Sequence, residues 1–390
     1  MRNWGCTVQQ AVSWGVKKRP KEAFLRLALA SNFAPDRRPL SEYGYHLAGG
    51  LRATADSHEL VVLSGKFSTD QAAGVWRVWD DGNTQIPVQI VRALRHHRAD
   101  GLLLNTHFTT WGSNRANLAG LLTPLFARRA GFKVTTLLHH LPHTIDAKRV
   151  GYRLSPIHRL GIELGCRAVA ASNVVCFTLK RDLDVFEKRY KPACTVHVPL
   201  GIQGNPRWCP PPQTGTVLAF GHWGRSKDPE PLLRAFLSRS EVSGHLIIAG
   251  SSSHTRSGFQ ERLAKLYGSE RVSFPGYVPE PQVPQLFHSS DLVVLPYIEN
   301  TGASAVLHQT CQYGRVPLMR RLPVFEDMVD QLGLSAYFYD DEQELAAQLR
   351  TLLGDQHRLA VDGRHNFEVI GKYSMDRVAP IYWELFKRDE

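Results

Sequence analysis

The sequence predicts an α/β protein of two similar domains, each a parallel sheet of short strands alternating with helices. Three observations carry this reading. At 390 residues the chain exceeds one ordinary domain. Short apolar runs rich in β-branched residues alternate with helical stretches in both halves, as they do where strands are buried on both faces. The segment QGNPRWCPPPQTG (203–215) then breaks the pattern at mid-chain. Its consecutive Pro210, Pro211 and Pro212 lack N–H donors and fix φ, so neither helix nor sheet continues through them. The expected limits are a first domain over 1–202, a linker over 203–214 and a second domain over 215–373.

In chain order, LRLALASNF (25–33) reads as a strand and PDRRPLSEYG as a polar loop. A helix follows over Tyr45 to Ala55 and a strand over HELVVLSG (58–65), which stops at glycine. Ile86 to His97 is a helix, DGLLLNTHF (100–108) a strand, Asn114 to Ala130 a helix and FKVTTLLHH (132–140) a strand. A helix from Ser155 to Ala168, the strand NVVCFTL (173–179), the helix RDLDVFEKRY and the strand CTVHVPLGI close this half. The second half repeats the grammar with six strands: TVLAFG, HLIIAG, VSFPG, DLVVLP, RVPLM and AYFYD.

Composition narrows the function classes. The net charge is +11, and it is uneven: residues 1–200 carry +14 and residues 201–390 carry −3. A basic first half suits an anionic membrane surface, a lipid phosphate or nucleic acid, and it also suits a solvated basic face with no partner. No apolar run is long enough for a transmembrane helix. The first residues lack the apolar core of a secretory signal, although Trp4, Val8, Val12 and Trp14 form a weak stripe ahead of Lys17, Lys18 and Arg19. Six scattered cysteines without CxxC or His/Cys spacing fit neither a metal site nor a disulfide framework, so a reducing, cytoplasmic setting is expected.

Chemistry concentrates at strand ends. In FGHWGRSKDPEPLLRAF, the strand is expected to end at Gly221, where backbone can approach a ligand, and His222, Arg225 and Lys227 follow it. Ligands of open parallel sheets bind beyond strand carboxyl ends, so Arg225 and Lys227 are placed to clamp a diphosphate; an ordinary exposed basic turn reads the same way. In DLVVLPYIENTGASAVLHQTCQYG, Glu299, Asn300 and Thr301 offer groups to a sugar. The small residues Gly302, Ala303, Ser304 and Ala305 let phosphate oxygens reach the N–H groups of a helix start. A plain helix cap at Ser304 or Thr301 explains the hydroxyls but not the small residues around them. Gln309, one to two turns inside the helix, is placed for a ribose. In the first half, Asn105, His107, His139, His140 and His143 sit at neighbouring strand ends. They suit either a polar cleft or buried core histidines. Metal ligation lacks HxH or HExxH spacing and a carboxylate.

These motifs resemble the retaining glycosyltransferases of glycosyltransferase family 4. The family pattern G-R-x-x-x-x-K-G leads into a helix ending in A-F, and Lys227 stands eight residues before Ala235–Phe236. His222 takes the place of the usual arginine and Asp228 that of the glycine. The E-x7-E signature is altered, with Thr301 and Gln309 at its two positions and Glu299 two residues before the first. Ser304-Ala305-Val306 resembles the family's S-G-V turn, His139 aligns with its acceptor-side histidine, and Gly44 in EYGYHLAGGL aligns with its close-approach glycine near the donor phosphates. The resemblance implies a GT-B fold, two Rossmann-like domains facing across a cleft, with a final helix (374–389) packed back on the first domain. It implies transfer of a sugar, with retention, from a UDP- or GDP-sugar to a saccharide or lipid-linked acceptor, as in cell-surface polysaccharide or glycolipid synthesis. Lys227 and Arg225 would stabilise the diphosphate and His139 would orient the transferred sugar, with no cofactor or metal. The expected protein is a monomer or weak homodimer, cytoplasmic and peripheral on the membrane, with no nucleic-acid partner. An inactive GT-B scaffold and a GT-B nucleotide-sugar epimerase are the alternatives; a phosphorylase would need a pyridoxal lysine motif that is not found.

Overall fold

A computed structural model of the chain describes residues 24–34, 36, 38, 40–66, 74–149, 151, 153–202, 204, 206–238, 244–252, 256–300 and 302–387. The stripe expected over Trp4 to Trp14 lies outside them, as does Thr301. The chain divides into two compact units. One comprises 1–144, 154–201 and 375–390, the other 145–153 and 202–374.

Among the described residues the first unit holds a seven-stranded sheet ordered β3-β2-β1-β4-β5-β6-β7. Its strands are β1 (Arg26–Ala30), β2 (Glu59–Gly65), β3 (Val75–Trp79), β4 (Gly101–Thr106), β5 (Lys133–Leu138), β6 (Val174–Phe177) and β7 (Thr195–His197). All neighbours pair in parallel. The fully buried β4 (GLLLNT) lies at the centre, as expected for a strand covered on both faces. The strand order reverses between β1 and β4, where the ends Ser31-Asn32 and Asn105-Thr106 come together.

The second unit has a six-stranded parallel sheet ordered β10-β9-β8-β11-β12-β13. Its strands are β8 (Val217–Trp223), β9 (Leu246–Ser252), β10 (Val272–Gly276), β11 (Leu292–Leu295), β12 (Val316–Arg320) and β13 (Tyr337–Tyr339). The same reversal falls between β8 and β11. Trp223, Leu232, Phe236, Ile248 and Leu349 belong to the core that covers this sheet.

Four expectations are corrected. Val75–Trp79 is a strand, at the sheet edge, where all but Trp79 stay at least partly exposed and the apolar signal is diluted. The helix expected over Asn114 to Ala130 is two, Asn114–Leu121 and Thr123–Arg129; Pro124, at the start of the second, cannot donate into a continuous helix. The helix expected from Tyr45 begins at Ser41. Strand β8 runs on past Gly221 to Trp223, pairing His222 with Ser251 and Trp223 with Ser252.

The linker is not a loose tether. Arg315, fully buried, donates to the carbonyls of Cys209, Pro210, Phe287, His288 and Gly314. Buried Asp291 accepts from the N–H groups of Gln213, Thr214 and Thr216 at 2.6, 2.9 and 2.9 Å. The prolines present carbonyls that no strand neighbour uses, and the guanidinium satisfies those of Cys209 and Pro210.

The final helix, Met375–Lys387, packs on the helix Ser41–Ala53. A Cβ at Gly50 would lie 2.6 Å from Met375 Cγ, so the glycine sets how closely the two helices approach. Trp383 Nε1 donates to Leu51 O at 3.1 Å and Lys133 Nζ to Phe386 O at 3.0 Å. Its buried face includes Tyr382, Trp383, Leu385 and Phe386, while Ile381 is half-buried.

Candidate functional site

In the second unit the predicted donor residues that are described lie about the switch point between β8 and β11, while Gly44 lies in the first unit. The turn 224–227 is stapled to the chain after β11 by main-chain bonds: Asp228 N to Pro296 O at 3.1 Å and Ile298 N to Ser226 O at 2.8 Å. This brings Lys227 over the Tyr297 ring, with Nζ 4.3 Å from its centroid. The Tyr297 hydroxyl lies 3.3 Å from Ser304 Oγ. Ser304 caps the helix Ala305–Gln312 by accepting from Leu307 N at 3.3 Å. A Cβ at Gly221, whose φ is +144°, would lie 3.8 Å from both Lys227 Nζ and Val306 Cγ2. Behind it, a Cβ at Gly250 would meet Gly221 O at 1.8 Å, so two glycines allow β8 and β9 to approach here.

Around this centre, buried Glu299 accepts from Asn300 N through Oε1 at 3.1 Å, and Asn300 Nδ2 donates to Gly302 O at 2.7 Å. Ala305 is exposed at the helix start, and Gln309 is buried one turn further in. His222 is exposed, with Nδ1 2.9 Å from Ser251 Oγ. Arg225 donates to Gly151 O at 2.9 Å, so part of its guanidinium is committed to a main-chain carbonyl. Asp228, at the position of the family glycine, accepts from Glu230 N at 3.0 Å and closes the next helix start. Sequence reasoning missed His308. It is buried, Nδ1 lies 3.0 Å from Ser304 O, and burial lowers its pKa to about 4, which keeps it neutral and donating to the cap residue. Only its i+4 spacing from Ser304 hinted at this.

In the first unit the ends of β1, β4 and β5 carry a directional hydrogen-bond chain. His139 Nε2 lies 2.5 Å from Asn105 Oδ1, Asn105 Nδ2 donates to Ser31 Oγ at 2.8 Å, and Ser31 Oγ donates to Asn32 O at 2.6 Å. Because the amide nitrogen is used toward Ser31, its oxygen must accept, which fixes His139 as the Nε2–H tautomer with Nδ1 as an acceptor. Burial and then the neighbouring His140 lower the His139 pKa to about 3, and burial lowers that of His140 to about 4. His107 is pushed well below its ordinary value by burial and by both other histidines; its ring lies 5.2 Å from that of His140, and Nδ1 accepts from Thr109 N at 3.0 Å. The Tyr43 ring meets His139 edge-on at 4.9 Å. His143 is engaged elsewhere, 3.2 Å from the Tyr190 hydroxyl, and is exposed. Gly44 is a close-approach glycine toward protein, since a Cβ there would meet Ser31 Oγ at 2.4 Å and Asn32 O at 2.5 Å. Sequence reasoning also missed Asp182. This buried carboxylate accepts from Leu141 N and Thr144 Oγ1, at 3.1 and 2.6 Å, and so holds the loop after His140.

An open cavity of about 640 Å³ lies at the amino ends of the first sheet's strands, lined by Arg26, Arg52, Trp76, His97 and Arg98 among others. It is at the wrong end of the sheet for the ligand of a parallel α/β unit. Among the described residues no group of three His, Cys, Asp or Glu side chains is placed to hold a metal ion.

Two Rossmann-like parallel sheets, each with its strand reversal, define a two-domain α/β protein of the GT-B fold. Residues 214–355, most of the second unit, match the family described as glycosyl transferases group 1. The chain is similar to the sucrose-phosphate synthase of Thermosynechococcus elongatus, with 15% identity and a TM-score of 0.72, over 93% of this chain and 98% of that one. It is similar to HepE of Anabaena, solved in complex with UDP, with 15% identity and a TM-score of 0.67 over 93% and 99%. It is also similar to WaaG, a glycosyltransferase involved in lipopolysaccharide biosynthesis, with 13% identity and a TM-score of 0.65 over 92% and 99%. No curated protein sequence matches the chain.

Proposed function

We propose that the protein is a glycosyltransferase that takes a sugar from a UDP- or GDP-sugar and passes it, with retention, to a hydroxyl of a saccharide or lipid-linked acceptor. The observation that carries this is the convergence of Lys227, Gly221 and the Ser304-capped helix start at the switch point of the second sheet. Breaking the bond between sugar and diphosphate leaves negative charge on the leaving oxygens, so the dominant need is fixed positive potential there. Lys227 supplies a full charge, and the first N–H groups of the helix Ala305–Gln312 supply the partial charge of its dipole. Gly221 leaves room for phosphate beside the ammonium. Gln309 serves the ribose as a neutral donor and acceptor where the resembled family has a carboxylate.

The neutral His139, held by Asn105, is the acceptor-side residue of this reading; its unprotonated Nδ1 accepts a hydroxyl hydrogen bond without adding charge. The basic first half suits an anionic, lipid-linked acceptor at the cytoplasmic face of a membrane, and no helix among the described residues is long and apolar enough to cross one. The deciding experiment is calorimetric titration with UDP, GDP and their sugar derivatives, followed by assay of sugar release. Binding of one nucleoside diphosphate, with slow release of the sugar from its donor, is expected. No binding of either nucleotide ends the donor-site reading, and binding without any turnover favours the inactive scaffold.

A further inference from the structure

The helix Pro156–Ala170 turns an apolar face to solvent. Ile157 is 75% exposed, Leu160 57% and Leu164 44%. With Gly161, whose Cβ direction meets nothing within 4 Å, they occupy i, i+3, i+4 and i+7, one stripe of the helix. The buried residues of this helix, Gly165, Cys166, Ala168 and Val169, all lie in its C-terminal half, past the stripe. The stripe is therefore surplus to the core.

Arginines outnumber carboxylates beside it. Glu163 is the sole carboxylate of the helix, and two arginines, Arg167 and Arg189, each hold it at 3.0 Å. Arg159 lies beside Leu160 with no ion-pair partner among the described residues. The helix Thr123–Arg129 packs on the other end of this helix, where Arg128 Nη1 donates to Ala171 O at 3.2 Å, so the arginines that border the stripe are Arg159, Arg167 and Arg189. Pairing two copies of this face would set arginine against arginine, so the charge pattern disfavours a second copy and calls for an anionic partner.

We propose that this face docks the protein on an anionic lipid bilayer, with Ile157, Leu160 and Leu164 entering the headgroup–acyl boundary and the arginines resting among lipid phosphates. An apolar stripe bordered by basic side chains is how an interfacial helix is built. This deepens the lipid-linked acceptor reading by naming the surface that would bring the protein to such an acceptor. Its observations do not depend on the donor site.

The test is co-sedimentation of the full chain, without donor or acceptor, with vesicles of phosphatidylcholine alone or with about one-third phosphatidylglycerol. Binding to the anionic vesicles is expected at low salt, with release near half-molar salt as screening shortens the reach of the arginines. The variant Ile157→Ser/Leu160→Ser should bind about tenfold or more weakly, as loss of inserted aliphatic surface implies. Arg159→Glu should also weaken binding and flatten its salt dependence. Both sites are on the surface, so circular dichroism and nucleotide titration should match the wild type. Wild-type protein that ignores anionic vesicles at low salt overturns the proposal and leaves an acidic macromolecule as the partner to seek. Vesicle binding unchanged in the double variant overturns it too, by placing the contact on another surface.

Discussion

Lys227 and Tyr297 are separated by 70 residues, yet the lysine ammonium sits 4.3 Å from the centre of the tyrosine ring. The main-chain staples between 226–228 and 296–299 impose this contact. The ring face stabilises the ammonium while no anion is bound, and leaves its three N–H donors able to turn to one.

Lys227→Ala should therefore weaken nucleoside diphosphate binding by about ten- to a hundredfold, the range of a lost charge-assisted hydrogen bond of roughly 1.5–3 kcal/mol. Calorimetric titration reads this directly, and the melting temperature without ligand should change little. Wild-type affinity in this variant removes Lys227 from the donor site.

Gly250→Ala tests the close approach behind the site. Its φ is +117°, and the new Cβ would meet Gly221 O at 1.8 Å. The expected cost is about 1–3 kcal/mol of stability, with weaker nucleotide binding because Gly221 must move. A variant that melts and binds like the wild type shows that Gly221 does not need its present position.

Gln309→Ala should weaken both free nucleotide and intact donor, whereas Gln309→Glu should keep most of the binding. Unchanged nucleotide affinity in the alanine variant places the ribose elsewhere.

Arg315→Met should lower the urea midpoint. Five carbonyl contacts, two buried and three part-buried, lose their donor, and leaving such acceptors unsatisfied costs roughly 2–4 kcal/mol in total after local relaxation. An unshifted midpoint means the linker is held by Asp291 and packing alone.

Stability should fall on mild acidification. His107, His139, His140 and His308 are all held neutral, with pKa values well below the ordinary value near 6.5. Between about pH 3 and 6.5 the unfolded chain binds more protons at these sites than the folded one. Their contribution is complete above pH 6.5 and is lost as pH falls toward 3 to 4, at about 1.4 kcal/mol per unit of difference for a fully buried ring. Asp182, raised to about 6 by burial, acts in the opposite sense: its contribution is present at low pH and lost as pH rises through 6. Four histidines outweigh one carboxyl, so urea unfolding at pH 5 should show several kcal/mol less stability than at pH 8. His308→Asn should reduce that difference; an equal difference in wild type and variant means His308 is not held neutral in the fold.

The sequence alone determined what local pattern can carry. Short β-branched runs between helical periods specified parallel α/β units in both halves, because a strand buried on both faces has no alternation to conceal. The consecutive prolines marked the break, and the basic turn after β8 and the small-residue turn after β11 marked strand carboxyl ends, the side of a parallel sheet on which ligands bind. Tertiary structure decided the rest. Edge strand β3 was illegible because only Trp79 of its five residues is buried, so no clean apolar alternation marks it. His308, Asp182, Asp291 and Arg315 were illegible because polar residues declare no role until a distant segment brings a carbonyl, an N–H or a hydroxyl to them. Asn105 fixes the tautomer of His139 from 34 residues away, and Lys227 finds its ring 70 residues on. Periodicity is read over a turn or two of chain, whereas these contacts exist only after the order β8-β11 and β1-β4 has folded distant strand ends side by side.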